Sequence, residues 1–276
     1  MADLFKIAAD NAVALEGQFA GITSDLSIAE ANQLGRFAER IQQDGQVSIN
    51  MKPSDLNGFL SIGTYQNTHE WANAMAGLSG RPAAEILKEK LGSLYPKRMA
   101  FDRHFDQGRQ FCYGALYLGG VGVTDYGDYC VVLSDRLFSG RREIAYLRSD
   151  SLFTYTRTET EVDEEAVQRE AAPHSHKHLL AAIKHAVEIC RCAETAWPGI
   201  LCSNSGYIEA IFVAQTTPSS VEVVRIARQR YYELFHEAFD DFRRRFNDER
   251  RQLVDTFVLI LRLLKNNHIP LEIADA

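Results

Sequence analysis

The feature that most constrains this chain is the run Gly206–Val213, which reads Gly-Tyr-Ile-Glu-Ala-Ile-Phe-Val. Its β-branched and aromatic residues predict a strand, and alternation places Glu209 on the same face as Ile211. A buried carboxylate is costly unless it is paired or used. A second strand-like run, 221–226, follows the turn at 217–220, so the sequence predicts a hairpin that presents Glu209. We expect the chemistry of the chain near this residue.

The composition is that of a folded globular protein. Hydrophobic residues make up 46% of the 276 residues and charged residues 24%, which argues against disorder. The net charge of −7 argues against a protein that coats nucleic acid. The first residues do not resemble a signal peptide, and no apolar run is long enough to cross a bilayer. Five scattered cysteines indicate reduced thiols. We therefore expect a cytoplasmic protein that makes no membrane contact.

The order of predicted elements places helices at both ends of the chain and strands in the middle. Residues 1–44 read as helices, with a capping box at Ser27-Ile28-Ala29-Glu30. The expected strands are 46–51, 111–118, 129–133, 143–147, 152–158, 207–213 and 221–226. The expected helices after residue 44 are 53–63, 69–78, 82–91, about 176–195 and 228–266.

This order is not a regular alternation of strands and helices, which disfavours a doubly wound parallel sheet. The sequence instead predicts an α+β fold with a mixed or antiparallel β core flanked by helices. We expect three parts: an N-terminal helical segment (1–44), an α+β core (45–226) and a C-terminal helical extension packed on the core (227–276).

Two further segments carry polar groups at strand ends. One predicted strand ends in Ser149-Asp150-Ser151, where short hydroxyls could hold a carboxylate or a ribose, although the triplet is also ordinary turn chemistry. Arg109 leads into an aromatic strand that contains Gly114, where a ligand or another backbone could approach closely. The glycine-rich run 119–124 lacks Gly-x-Gly-x-x-Gly spacing, which excludes a Rossmann fingerprint.

Taken in order, these segments resemble a known superfamily. The Tyr-Gly-Ala-Leu strand at 113–116, Gly-Asp-Tyr-Cys at 127–130, Ser-Asp-Ser at 149–151 and Tyr-Ile-Glu at 207–209 resemble toxin-like bacterial ADP-ribosyltransferases. The resemblance covers roughly residues 46–226. It implies an ADP-ribosyltransferase type of β core. It also implies an enzyme that splits the nicotinamide–ribose bond of NAD and transfers ADP-ribose to a macromolecular acceptor, either protein or nucleic acid.

The resemblance also implies roles for individual residues. Glu209 matches the catalytic glutamate, whose carboxylate would stabilise positive charge on the ribose carbon. The positions that match NAD-binding residues are Ser149, Ser151, Arg109, Tyr113, Gly114 and Asn50. Asn50 stands where the family has arginine or histidine, and Tyr207 stands where arginine-modifying members have glutamate or glutamine. NAD would be a co-substrate, no metal is needed, and water as acceptor would make the protein an NAD glycohydrolase. The resemblance also allows delivery into a target-cell cytoplasm.

Other readings of the same chain stay open. One is a zinc site, because suitable residue types cluster before the Glu209 strand, but their spacing favours a plain helix. These residues are His174, His176, His178, His185, Cys190, Cys192 and Cys202. A second is a non-catalytic binding or assembly protein on the same scaffold. The aromatic stripe of the C-terminal helices predicts core packing or a homodimer seam. Its members are Tyr231, Phe235, Phe239, Phe242 and Phe246.

Overall fold

The computed structural model describes residues 1–158, 160–241 and 248–275, and the side chains outside 237–250. The strands are β1 (Gln46–Met51), β2 (Cys112–Tyr117), β3 (Tyr129–Leu133), β4 (Ile144–Leu147), β5 (Ala171–Pro173), β6 (Glu209–Phe212), β7 (Val221–Ala227) and β8 (Leu271–Ala274). Within the described residues these strands form one eight-stranded sheet in the order β5-β4-β6-β2-β1-β3-β7-β8.

Helices flank the sheet, and the predicted helical segments are among them. They are α1 (Leu4–Asp10), α2 (Ala12–Asp25), α3 (Ile28–Asp44), α4 (Pro53–Ile62), α5 (Thr68–Ser79), α6 (Ala83–Leu91), α7 (Tyr95–His104), α8 (Ser151–Thr154), α9 (Glu164–Glu170), α10 (Lys177–Ile189), α11 (Trp197–Leu201), α12 (Arg228–Asp241) and α13 (Asp248–Asn266). None of the described helices combines the length and apolar character needed to cross a bilayer.

The strand pairings confirm an α+β fold with a mixed sheet. Neighbouring strands are antiparallel throughout the described sheet except for β7 and β8, which are parallel. The predicted capping box at the start of α3 is present, with Ser27 and Glu30 satisfying each other's backbone amides. The sequence predicts neither the strands β5 and β8 nor the helices α7, α8, α9 and α11.

The predicted hairpin of 207–213 and 221–226 is wrong. β6 lies between β4 and β2, whereas β7 lies between β3 and β8. All four residues of β6 are buried, so the strand needs neighbours on both edges and cover on both faces. The connection to β7 contains a 3₁₀ turn at Pro218–Ser220 instead of a tight two-residue turn. The two strands therefore separate into different parts of the sheet.

The predicted strand at 152–158 is also wrong, because the chain turns into the short helix α8. The side chain of Asp150 caps this helix, accepting hydrogen bonds from the amides of Leu152 at 2.7 Å and Phe153 at 3.1 Å. Ser149-Asp150-Ser151 is thus a helix start at the end of β4. This places the amide of Ser151 over the sheet.

Each face of the sheet has its own core. On one face Val47, Phe212 and Tyr146 belong to a large core with side chains of α2, α3, α10 and α13. On the other face Ile211 and Leu147 pack with side chains of α1, α7 and α9. Glu209 alternates with Ala210 and so lies on this second face, at the border of its apolar cluster.

The C-terminal aromatic stripe is partly described. Tyr231 packs edge-on against Phe257 with ring centroids 5.8 Å apart, so α12 and α13 contact each other there. Phe235 is 46% exposed. The side chain of Phe239, and the whole of Phe242 and Phe246, lie outside the described residues. A continuous helix over 228–266 would hold residues 231 and 257 about 39 Å apart, so the contact between Tyr231 and Phe257 shows that α12 and α13 are two helices packed together.

Candidate functional site

Glu209 is the centre of a buried polar cluster. It opens β6, opposite Leu147 of β4 and Ala115 of β2, and is only 4% exposed. Its Oε2 accepts a hydrogen bond of 2.9 Å from the backbone N–H of Ser151. The pairing of β4 with β6 produces this contact, because Ser151 follows the end of β4 by a few residues. The structure therefore brings together the 149–151 segment and the glutamate that the sequence singled out.

The surroundings of Glu209 favour its protonated form. The pKa of this carboxyl is raised from 4.5 to about 8, chiefly by burial and in addition by the nearby charge of Asp150. The charge of Arg98 and the hydrogen bonding of Ser151 lower the pKa, but they do not outweigh burial. At neutral pH Glu209 therefore carries a proton.

Asp150 is the half-buried partner of Glu209. While its Oδ1 caps α8, its Oδ2 accepts hydrogen bonds from the hydroxyl groups of Tyr207 at 2.5 Å and Tyr126 at 2.8 Å. Burial raises the pKa of both tyrosines well above the usual value, so both hydroxyls remain donors. Both oxygens of Asp150 thus accept hydrogen bonds, which is the arrangement of a carboxylate. Asp150 and Glu209 therefore form a pair of carboxyl groups in contrasting surroundings, one with four hydrogen-bond donors and one buried with a single donor.

A buried arginine faces this pair from helix α7. The guanidinium of Arg98 lies over the ring of Tyr113, with Cζ 3.6 Å from the centroid, and its Nη1 is 3.6 Å from Asp102 Oδ1. Burial lowers the pKa of Arg98, but Tyr113, Asp102 and Glu209 together raise it above the usual value. Arg98 therefore remains a cation, and its charge partly compensates the carboxylates.

A hydrogen-bonded chain supports Arg98. Asp102 accepts a hydrogen bond of 2.5 Å from the hydroxyl of Tyr113, and its other oxygen is 2.7 Å from Nε2 of His69. Helix α5, which carries His69, is therefore tied to helix α7, which carries Arg98 and Asp102. This connection fixes the position of Arg98 beside the site.

Two donors at the site have no protein partner. They are Nη1 of Arg98, which lies beyond hydrogen-bond distance of Asp102, and the hydroxyl of Ser151. The Ser151 hydroxyl is close enough to lower the pKa of Glu209 but does not meet hydrogen-bond geometry. Unsatisfied buried donors cost free energy, so each calls for a bound water or a polar group of a ligand.

Lys184 of helix α10 links the two segments that carry the site. Its ammonium group donates hydrogen bonds to the carbonyl oxygens of Arg148 at 2.5 Å and Tyr207 at 2.7 Å. Burial lowers the pKa of Lys184 to about 8. The contact joins the residues that lead into Ser149–Ser151 and into Glu209, so Lys184 fixes their separation.

The remaining residues that the sequence singled out lie in different surroundings. Arg109 is exposed in a 3₁₀ turn before β2. Asn50 donates hydrogen bonds to the carbonyl oxygens of Val121 and Gly127, so its side chain holds the glycine-rich loop. A Cβ atom at Gly114 would lie 2.6 Å from the carbonyl oxygen of Ser48, so the close neighbour is a backbone of the sheet.

Sequence reasoning missed several residues of the cluster. The sequence predicts Asp150 only as a turn residue. It singles out Tyr207 only because this residue departs from the family pattern. Arg98 and Asp102 were not considered. Their signal was the spacing of four residues between an arginine and an aspartate on a segment that also carries Met99 and Phe101, which predicts a charged pair on a buried helix face.

The zinc reading finds no support in the part of the chain that the structure describes. Within it, no three histidine, cysteine, aspartate or glutamate side chains converge as metal ligands would. His174 instead forms a hydrogen bond of 3.0 Å between its Nδ1 and the hydroxyl of Tyr146. Its Nε2 is 3.2 Å from Asp135 Oδ1.

Comparison with known proteins adds no family to this description. No protein-family model matches the chain, and no curated protein matches it significantly. The residues of the cluster are therefore the basis of the proposed function.

Proposed function

We propose that this chain is an NAD-consuming ADP-ribosyltransferase, with Asp150 and Glu209 as its catalytic carboxyl pair. The observation that carries the proposal is the pair itself, a buried Glu209 with one hydrogen bond and a neighbouring Asp150 that accepts four, beside two buried donors without partners. Enzymes that break glycosidic bonds use two carboxyl groups in such different states.

The rim of the site offers groups that suit NAD. Tyr126 is 48% exposed and Phe153 is 66% exposed. The hydroxyl of Tyr126 donates a hydrogen bond to Oδ2 of Asp150, and the backbone amide of Phe153 donates one to Oδ1. Aromatic rings at such positions can stack on the nicotinamide. The ammonium of Lys97 is 5.9 Å from the centroid of the Phe153 ring, where it would pair with the pyrophosphate. Ser151 and Glu209 would hold the ribose hydroxyls.

The proposed reaction needs one negative charge and one proton. The bond between the ribose carbon and the nicotinamide nitrogen breaks, and its electron pair leaves with nicotinamide. The Asp150 carboxylate stabilises the positive charge on the ribose carbon, while protonated Glu209 donates a hydrogen bond to the ribose. The acceptor hydroxyl or water then attacks that carbon and passes its proton to Asp150. The five cysteines are free thiols, which fits a reaction in the reducing cytoplasm.

Incubation with labelled NAD tests the proposal. We expect release of nicotinamide, with label on a protein or nucleic-acid acceptor or on free ADP-ribose, and a loss of at least a hundredfold in Glu209→Gln and Asp150→Asn. Glu222→Gln, an exposed glutamate of β7, is the matched control and should keep full activity. Intact NAD with folded wild-type protein, or full activity of Glu209→Gln, would overturn the proposal.

A second candidate function is assembly without catalysis. The described parts of α12 and α13 expose large apolar side chains, with Tyr232 and Val258 each 45% exposed. Such a surface could be covered by a second copy of the chain. A concentration-dependent dimer, together with no change in melting temperature on adding NAD, would favour this function over the first.

A further inference from the structure

A separate cavity lies between the end of β1 and helices α4, α5 and α6. Its volume is about 250 Å³, and Asp150, Glu209 and Arg98 are not among its lining residues. The volume is slightly below the range of about 300–1,000 Å³ that is usual for ligand pockets, so the cavity suits one small molecule. It is therefore distinct from the carboxyl pair.

The inner walls of this cavity are aromatic and apolar. Phe59 and Tyr65 meet edge to face, with ring centroids 6.2 Å apart, and Trp71 and Met75 of α5 also line the cavity. Aromatic rings and thioethers form favourable walls for a flat ring. The walls predict a ligand with an aromatic ring.

The walls are held in place before any ligand binds. The amide of Tyr65 donates a hydrogen bond of 2.9 Å to the carbonyl oxygen of Thr216. Helix α5 begins with a complete capping box formed by Asn67 and Glu70. The same helix is joined to α7 through His69 and Asp102. A preformed pocket loses little conformational entropy on binding.

One cation lies at the edge of the aromatic wall. The ammonium of Lys90 is 3.9 Å from the centroid of the Trp71 ring, and among the described residues no carboxylate lies within 4.0 Å of it. Partial burial lowers the pKa of Lys90, the carboxylate of Asp55 raises it, and the ammonium of Lys52 lowers it. The ammonium group of Lys90 therefore supplies a positive charge at this end of the cavity, which Asp55 also lines.

We propose that this cavity binds a small aromatic carboxylate, with its ring between Trp71, Phe59 and Tyr65 and its carboxylate at Lys90. A bound aromatic ring would bury the apolar side chains that line the cavity. Its carboxylate would form an ion pair with the ammonium group of Lys90. The proposal does not depend on NAD chemistry, and its test contains no NAD.

Benzoate is the probe, and tryptophan fluorescence and titration calorimetry are the readouts. The chain has two tryptophans, and the other, Trp197, is 3% exposed in the core against Phe37. We expect benzoate to change the emission saturably and benzylamine, which carries the opposite charge, to have no effect. Trp71→Phe should abolish the change in emission, because Trp197 does not contact the cavity.

Charge variants separate this site from adventitious binding. Lys90→Met should weaken benzoate binding at least tenfold, whereas Lys88→Met, an exposed lysine on the same helix, should leave it unchanged. Asp55→Asn should strengthen binding severalfold, since it removes a carboxylate that lines the cavity and acts on Lys90.

Several results would overturn the proposal. They are no saturable signal by either method, equal binding of benzylamine, an emission change that survives in Trp71→Phe, or benzoate affinity that Lys90→Met leaves intact. If Lys90→Met does not fold, Asp55→Asn provides the test of charge: benzoate affinity that is equal to or weaker than that of the wild type would then overturn the proposal.

Discussion

At the scale of single residues, the burial of Glu209 determines how the site responds to pH. Within the described residues the one hydrogen bond to this carboxyl comes from the amide of Ser151, and Arg98 acts on it only through its charge. Burial therefore outweighs the interactions that favour the charged form, and the pKa rises. The folded protein binds a proton at Glu209 over a pH range in which the unfolded chain does not.

This difference makes the stability of the protein fall as the pH rises. The pKa of Glu209 is about 8 in the folded protein and 4.5 in the unfolded chain, so its stabilising contribution is complete below 4.5 and is lost as the pH rises through 8. The slope should be about −1.4 kcal/mol per pH unit between these values. Glu209→Gln removes this titration. Its free energy of unfolding should therefore exceed that of the wild type by a margin that widens from pH 5 to 8.

Denaturant unfolding of both proteins at several pH values measures that margin. Glu222→Gln, whose side chain is exposed, serves as the control and should follow the wild type at every pH. A margin that stays constant with pH would show that Glu209 is ionised in the folded protein.

At the scale of elements, periodicity and capping identified most helices and strands but not the neighbours of each strand. The strand 46–51 and the capping box before α3 are local patterns, and both are confirmed. The helix start at Asp150 was read as a turn between strands, because a capping aspartate and a turn aspartate look alike in sequence. The partners of β6 depend on burial of both its faces, which no local pattern contains.

The same limit applies to the site. The sequence pointed to Glu209 and to the 149–151 segment, which the structure brings together. It could not point to Arg98, because the approach of α7 to β6 depends on tertiary packing. Nor could it show that Asn50 is used by the glycine-rich loop, since residues 121 and 127 are far from it in the chain.

Close packing of neighbouring strands makes Gly114 a test of the sheet. A Cβ atom there would lie 2.6 Å from the carbonyl oxygen of Ser48 and 3.0 Å from Val47. Gly114→Ala should lower the free energy of unfolding by about 1–3 kcal/mol, because β1 and β2 must separate. Gly17→Ala is the matched control. Its Cβ atom would meet no atom within 4 Å, so this helical substitution should stabilise the protein by about 0.5–1 kcal/mol.

Thermal or denaturant unfolding of the two alanine variants provides the comparison. Opposite signs are expected, and equal stability of the two variants would contradict the close approach at Gly114.

At the scale of the whole molecule, the last strand protects one edge of the sheet. β8 covers β7, whose Val223, Val224 and Ile226 are buried, and four strands separate β8 from the strand that carries Glu209. Deletion of residues 270–276 would expose the backbone of β7 to other chains. We expect this variant to self-associate at concentrations at which the full chain does not.

Light scattering and sedimentation detect such association. A truncated chain that remains as dispersed as the full protein would show that β8 does not protect β7. If the proposed NAD chemistry is correct, the non-associated fraction should retain it, because the deletion does not reach β6.

The position of β6 also has a consequence for synthesis of the protein. Its two neighbours in the sheet, β2 and β4, leave the ribosome about a hundred and about sixty residues before it. Until residue 212 has emerged, β6 is missing from its place between β2 and β4. The strand edges that β6 will cover can then pair with other strands or other chains. Late closure of such distant segments is slow. The nascent chain should therefore depend on chaperones until β6 is inserted, and the carboxyl pair cannot form before this step, because β6 itself carries Glu209.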